Sequence, residues 1–300
     1  MEPHVIALDV GGTKIAGALV TQDGQILDRR LRPTPAQEGG EAVAAAVVAV
    51  AADLYTAGGR AARAVGVGAA GQIDSAQGTI RHAVDTLPGW AGIPLAARLQ
   101  AIIPVPTVIE NDVNAMALGE QFTASEKAIP SALFVAVGTG IGGALILNGH
   151  LWHGAHWSAG ELGHILVDIT RQRRCNCGLY GHLEAYASGP AIATAVDGST
   201  DLRGVVARAQ AGDDRAQKGI AQGAEILGAA LNGLVCAFDP QMVIIGGGVA
   251  EIGALWWQPF ERAFRQGTMP ATQEVILRGA CLGTDAVMIG ASTLAWAQLL

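Results

Sequence analysis

The sequence predicts an α/β protein of two lobes, each opening on a strand, a glycine turn and a second strand. Three observations predict it. The chain begins with such a hairpin, a second copy returns far downstream, and strands alternate with helices around both.

The first hairpin is Val5-Ile6-Ala7-Leu8-Asp9-Val10, the turn Gly11-Gly12-Thr13-Lys14, then Ile15-Ala16-Gly17-Ala18-Leu19-Val20. Asp23-Gly24 follows, a strong hairpin signal, and leads into a third strand at Gln25-Ile26-Leu27. The second copy begins with a β-capable run from Leu133 to Val137 and continues Gly138-Thr139-Gly140-Ile141-Gly142-Gly143-Ala144-Leu145-Ile146. Laid on Gly12 to Val20, six of nine positions are identical, and Asn148-Gly149 stands at nearly the offset of Asp23-Gly24. Agreement in order, spacing and following turn reads as an internal duplication.

Between the copies, Glu41 to Ala57 is Ala/Val-rich and long enough for a buried helix, and Ala64–Ala69 and Pro104–Glu110 read as strands. Asn111-Asp112 precedes a helix that these polar residues can cap. Residues 185–237 read as mostly helical, Met242 to Ile245 as a strand entering Gly246-Gly247-Gly248, and the last residues from about 286 as an apolar helix. The predicted division is an N-terminal α/β domain over 1–114 and a larger C-terminal α/β domain over 115–286. A helix over about 287–300 can pack back on the first domain.

Composition narrows the function classes. Half of the 300 residues are hydrophobic and 15% are charged, a globular balance. Nineteen basic and 26 acidic side chains leave a net charge of −7, the wrong sign for a non-specific nucleic-acid binder. The one compact basic patch, Arg171-Gln172-Arg173-Arg174, reads as a solvated loop. The longest apolar-looking run, Ala132 to Leu147, is too short and too broken by glycine for a membrane span. Met1-Glu2-Pro3-His4 opens no secretory signal, and Cys175, Cys177, Cys236 and Cys281 make no secreted disulfide framework in a chain this long. A cytoplasmic protein without nucleic-acid or membrane partners is expected.

The glycine turns suit phosphate, because glycine reaches positive φ and lets an anion approach backbone N–H groups. There is no Gly-Lys dipeptide, which excludes the Walker loop. Gly138-x-Gly140-x-x-Gly143 matches the dinucleotide fingerprint, but that motif requires a helix next, and strand-then-turn residues follow. Two hairpin phosphate loops and a third turn after a late strand look like the actin-like ATPase arrangement, a ribonuclease H-like two-domain fold with an interdomain cleft. In that arrangement the hairpins hold the nucleotide's phosphates, the third turn backs its adenosine, and Asp9 assists magnesium. Asp9 is otherwise a turn-forming carboxylate.

A kinase acting on an alcohol needs a carboxylate to take or orient the hydroxyl proton. Asp112 stands where such a group is placed, between a strand and a helix, and a plain helix cap is the competing role. His164, Cys175, Cys177 and His182 supply the four ligands of a closed, structural zinc site. That site would fix Glu161, His164 and Glu184 against a polyhydroxylated substrate.

Taken together, the motifs resemble the ROK family (repressors, open reading frames and sugar kinases) over nearly the whole chain. They are Leu8 to Lys14, Leu87-Pro88-Gly89-Trp90, Glu110 to Ala115, Gly138 to Gly143, Glu161-Leu162-Gly163-His164, the cysteine segment through Glu184 to Gly189, and Gly246-Gly247-Gly248. The resemblance implies ATP with magnesium at Asp9, Gly11, Gly12, Thr13, Lys14, Gly138, Thr139, Gly140, Gly246, Gly247 and Gly248. It implies a sugar held by Gly71, Thr86, Gly89, Asn111, Glu161, His164 and Glu184, with Asp112 as the base at its 6-hydroxyl. Zinc would use His164, Cys175 and Cys177, and homodimers are common in the family. Two departures stand out. His182 replaces the family's usual third cysteine, and Thr86 stands where many glucose-preferring members carry asparagine. The expected activity is therefore phosphorylation of a hexose or N-acylhexosamine, with N-acetylmannosamine ahead of glucose. A sugar-responsive repressor is the first rival, but the glycine turn begins at residue 11, ahead of which no DNA-binding unit fits. A non-catalytic sugar sensor is the second.

Overall fold

The computed structural model describes residues 2–83, 87–123 and 129–300. By its contacts the chain divides into two compact units, Met1–Ala128 with His153–Ser158 and Leu282–Leu300, and Ile129–Trp152 with Ala159–Cys281.

In the first unit, β1 (His4–Val10), β2 (Lys14–Thr21) and β3 (Ile26–Pro33) form an antiparallel meander. The β2–β3 turn at Asp23-Gly24 has Gly24 at φ 87°, and the register shifts at Leu19/Val20, as a bulge beside a tight turn requires. Helix α1 (Gly40–Ala57) then crosses over, and β4 (Val65–Ala69) pairs parallel with β1. A short hairpin, β5 (Gln72–Asp74) and β6 (Thr79–His82), and helix α2 (Leu95–Ile102) precede β7 (Thr107–Asn111), which pairs parallel with β4. Helix α3 (Asp112–Thr123) starts directly from β7. The sheet order is β3-β2-β1-β4-β7.

In the second unit, β8 (Ser131–Val137), β9 (Ile141–Leu147) and β10 (His150–Leu151) repeat the meander. Asn148 (φ 53°) and Gly149 (φ 79°) both take the left-handed conformation that a two-residue hairpin turn needs. Helices α4 (Glu184–Ala187), α5 (Gly189–Asp197), α6 (Leu202–Gln210) and α7 (Asp214–Phe238) lead to β11 (Met242–Gly246). Helix α8 (Ala254–Gln266) and β12 (Ile276–Gly279) complete a sheet of order β10-β9-β8-β11-β12. Position for position this is the order of the first sheet, so the duplication read from nine residues extends to both five-stranded sheets.

The last helix, α9 (Ala286–Ala297), belongs to the first unit and packs on α3, β1 and β4. Glycine makes that packing possible. A Cβ at Gly66 would lie 1.9 Å from the Ala291 carbonyl oxygen, and one at Gly290 would lie 1.7 Å from that of Ala115.

Among the described residues, two helices, α1 and α7, are long and apolar enough by length and composition to cross a membrane. Each is a core helix here, α1 burying Val43, Val47 and Leu54, and α7 burying Ile220, Leu227 and Val235. The run over 132–147 is the β8–β9 hairpin instead.

Candidate functional site

Each unit places a group of chemistry-bearing residues at its glycine turn. In the first, Asp9 lies at the end of β1, paired with Ala16 on β2 and Gly68 on β4. Burial pushes its carboxyl up to about 6, with the Asp112 charge adding to the rise and Lys14 opposing it. Asp9 and Asp112 are therefore close enough to repel. The turn is tied down by Gly11 N–H donating to the Lys14 carbonyl (3.0 Å), Thr34 N–H to the Thr13 carbonyl (3.0 Å) and Thr34 Oγ1 to the Gly11 carbonyl (2.7 Å).

Asp112 opens α3, but the helix cap is Asn111. Its Oδ1 accepts from the N–H groups of Val113 (2.9 Å) and Asn114 (3.0 Å), and its Nδ2 donates to the Gly71 carbonyl (3.0 Å) and to Asp112 Oδ1 (3.0 Å). Of the competing roles for Asp112, the principal cap has gone to its neighbour, although Asp112 Oδ1 also accepts from Val113 N–H at 2.9 Å. Gly71 holds φ 106° against the His82 carbonyl. Gly89 holds φ 72°, and Trp90 beside it is fully buried with its indole N–H on the Ala70 carbonyl at 3.1 Å. Thr86 lies outside the described residues.

In the second unit the turn Gly138-Thr139-Gly140 meets Glu184 at the start of α4. Glu184 Oε2 accepts from Ile141 N–H at 2.9 Å, and Oε1 receives Asn176 Nδ2 at 3.4 Å and Cys175 Sγ at 3.7 Å. A Cβ at Gly140 would lie 2.6 Å from Glu184 Oε2. The Gly246-Gly247-Gly248 turn lies against the same strand end: Gly247 (φ 89°) would place a Cβ 2.4 Å from the Val137 carbonyl, which also accepts from Val249 N–H at 3.0 Å. Positive φ is thus required at Gly247 but not at Gly11, Gly12, Gly138 or Gly140, none of which lies in the left-handed region. At Gly140 the requirement is space.

Glu161 and His164 flank a single helical turn whose Gly163 packs on β9, where a Cβ would lie 2.3 Å from the Ile141 carbonyl. His164 Nε2 stands 3.7 Å from Glu161 Oε2. The ligand atoms of His164, Cys175, Cys177 and His182 all lie within 4.8 Å of one another. Cys175 Sγ is 3.6 Å from His164 Nδ1, and Cys177 Sγ is 3.2 Å from His182 Nδ1. Sulfur and nitrogen sharing one tetrahedral zinc are about 3.5 Å apart, given the usual bond lengths. Burial pushes the Cys175 thiol up to about 11. A bound cation would reverse that shift.

Two residues in the first unit escaped the sequence reading as site residues, Glu110 and His153. Glu110 is 2% exposed, and its carboxylate accepts from His153 Nε2 (2.7 Å), Ser75 Oγ (2.9 Å), Asn114 Nδ2 (2.9 Å) and Asn111 N–H (2.8 Å). Burial pushes this carboxyl up, but the His153, Asn114 and Asn111 interactions outweigh it and hold the group below its ordinary range. The Glu110 hydrogen bond raises His153 against its own burial. Glu110 stands inside a quoted motif, but nothing in the sequence links it to a histidine 43 residues away.

The family model described as ROK family matches residues 5–298. The chain belongs to the ROK family. Within it the chain falls among the sugar kinases. It is 34% identical to a glucokinase of Halalkalibacterium halodurans over 95% of this chain and 92% of that protein. It is 35% identical to an N-acetylmannosamine kinase of Shigella flexneri over 99% of each. Of solved structures, the ROK hexokinase of Thermus thermophilus superposes with a TM-score of 0.87 at 36% identity, covering 99% of both chains. A ROK glucokinase of Streptomyces griseus, crystallised with glucose and AMPPNP, gives 0.81 at 32%, covering 98% of this chain and 99% of that one. The α/β fold of this chain is that of the ROK sugar kinases, with its actin-like ATPase topology.

Proposed function

We propose that the protein transfers the γ-phosphoryl group of ATP to the 6-hydroxyl of a hexose or N-acylhexosamine, with Asp112 as the base. The observation that carries this is the Asp9–Asp112 carboxylate pair beside the first glycine turn, one member half-buried at a strand end and the other opening a helix. Asp112 takes the proton of the attacking hydroxyl as the phosphoryl group is transferred, since the neutral alcohol is a poor nucleophile. Asn111 orients that carboxylate through the contact at Oδ1.

Gly11 and Gly138 use their N–H groups inside the turns. Phosphate contacts therefore fall to Gly12, Thr13, Thr139 and Gly140, with Lys14 adding charge and Gly246, Gly247 and Gly248 backing the nucleoside. Magnesium carried with the nucleotide would neutralise phosphate charge, and the raised Asp9 carboxyl is the group in this unit that a divalent cation beside it would return to its ionised form. Glu161, His164 and Glu184, with Gly71, Gly89, Asn111 and Thr86, are the proposed sugar contacts.

Zinc bound by His164, Cys175, Cys177 and His182 would be structural, because four protein ligands close its coordination. Its effect on the reaction is to hold the loop from which Glu184 reaches the second turn. Elemental analysis should return about one zinc per chain, and His182→Ala should lower zinc content and the melting temperature together. A stable, metal-free preparation would contradict the site.

N-acetylmannosamine is the favoured acceptor, on the Thr86 substitution and the 35% identity to the kinase of that name, with glucose the alternative on the glucokinase relative. Initial rates of ADP release with ATP and glucose, mannose, N-acetylglucosamine and N-acetylmannosamine decide between them. No turnover on any of the four would contradict the kinase reading. A cytoplasmic homodimer is the proposed working form, and sedimentation velocity tests the assembly.

A further inference from the structure

We infer that His153 is a positioning residue for Asp112, acting through Glu110; this rests on the reading of Asp112 as the base. Glu110 is the last residue but one of β7 and stands two residues before Asp112, and one carboxylate oxygen of Glu110 builds the turn between them. Oε1 accepts from Asn111 N–H at 2.8 Å and from Asn114 Nδ2 at 2.9 Å, one turn into α3. Asn111 in turn caps α3 and donates to Asp112 Oδ1 at 3.0 Å. The orientation of the Asp112 carboxylate therefore depends on where Glu110 is held.

The other oxygen, Oε2, holds Glu110 in place. Its partners are Ser75 Oγ at 2.9 Å and His153 Nε2 at 2.7 Å. His153 reaches it from a segment, His153–Ser158, that belongs to the first unit although the residues on either side of it belong to the second. That segment is fastened at both ends, by His153 on Glu110 and by the hydrogen bond that Gln72 Nε2 donates to Ser158 Oγ. The Trp157 ring lies 4.9 Å from that of His153, with Trp157 at φ 59°. A backbone conformation that a bulky residue adopts rarely is maintained where it keeps the tryptophan against the histidine. A buried carboxylate that loses one hydrogen-bond partner is left to the donors that remain. Here those donors are Asn111, Asn114 and Ser75, so the loss is felt at the Asp112 turn.

The test compares His153→Gln with His153→Asn, both assayed as the full chain. Glutamine places an amide nitrogen near the position of Nε2 and can still donate to Glu110; asparagine carries the same group and falls short. His153→Asn should lower kcat about tenfold or more, since displacements of about 1 Å at a reacting group cost up to about 10²-fold. KM for ATP should stay within about twofold in both variants, because neither touches a glycine turn, and His153→Gln should recover kcat to within about threefold of wild type. Should His153→Asn not fold, Glu110→Gln replaces it, keeping the volume and losing the charge, with the same split expected.

Wild-type kcat in the variant carrying the comparison, equal losses in it and His153→Gln, or a His153→Gln protein that does not fold would each overturn the inference. Asp112→Asn measured alongside separates the two claims. If it is inactive while the short variant turns over normally, only the role of His153 fails. If it retains turnover, the base assignment fails and the inference falls with it.

Discussion

The two hairpins share a topology and differ in what they hold. Aligned by strand register, across a turn one residue shorter in the second hairpin, Lys14 corresponds to Gly140 and Asp9 to Ala136, while Gly17 and Gly143 are the same. The shared glycine has a packing cause in both units. A Cβ at Gly17 would lie 2.7 Å from Leu54 of α1, and one at Gly143 would lie 2.3 Å from Leu162 of the Glu161–His164 turn. Something different lies over each hairpin, and both need the missing side chain. Ala16/Gly142 and Val20/Ile146 exchange one small or apolar residue for another, whereas Asp9/Ala136 and Lys14/Gly140 change the charge at the turn. The first turn keeps a carboxylate and a cation, and the second gives up both, with Glu184 occupying the space that a side chain at position 140 would need. Duplication kept the scaffold and let charge diverge.

That contrast makes Asp9 the first place to break it. Asp9→Asn should lower kcat by about 10²-fold or more, as removal of a group serving a catalytic cation does. The same change should raise stability. Because the folded pKa of about 6 exceeds the ordinary 3.8, the native state binds more protons between those values, and stability falls as pH rises through that window. Asparagine removes the penalty, so the variant should be more stable than wild type by on the order of 2–3 kcal/mol above pH ~6, with the gap closing near pH ~4. Melting curves across that range check it. A variant that is both less active and less stable at pH 8 would mean that Asp9 is a structural turn residue.

Gly17→Ala and Gly143→Ala come next. Each forces a methyl into a filled space and should cost about 1–3 kcal/mol by denaturant unfolding. A loss confined to one of them would show that the shared glycine has a packing reason in only one unit. Smallest is Gly140→Ala, which crowds Glu184 Oε2. Weakening the Glu184–Ile141 hydrogen bond should raise the sugar KM about fivefold with kcat little changed. Unchanged KM would separate Glu184 from the sugar.

The hairpins were legible because their signals are local: β-capable runs, turn dipeptides and a repeated nonapeptide. The long helices and the His164–His182 ligand spacing were legible for the same reason. Other features depend on tertiary contact. The short hairpin Gln72–His82 presents too few alternating residues to announce itself, yet Ser75 within it reaches Glu110. Glu110 and His153 are joined across 43 residues, and neither residue type at its own position signals the other. Asn111 and Asp112 looked interchangeable as caps, and hydrogen-bond geometry assigned the principal cap to Asn111.

The central claim is that one aspartate opening α3 removes a proton from the acceptor alcohol. Its most direct test is the turnover of Asp112→Asn, with sugar affinity followed by calorimetry. The account predicts a folded protein that binds sugar nearly as wild type does while kcat drops by roughly 10²–10⁴-fold or more. Turnover within a few-fold of wild type, with sugar binding intact, would contradict it.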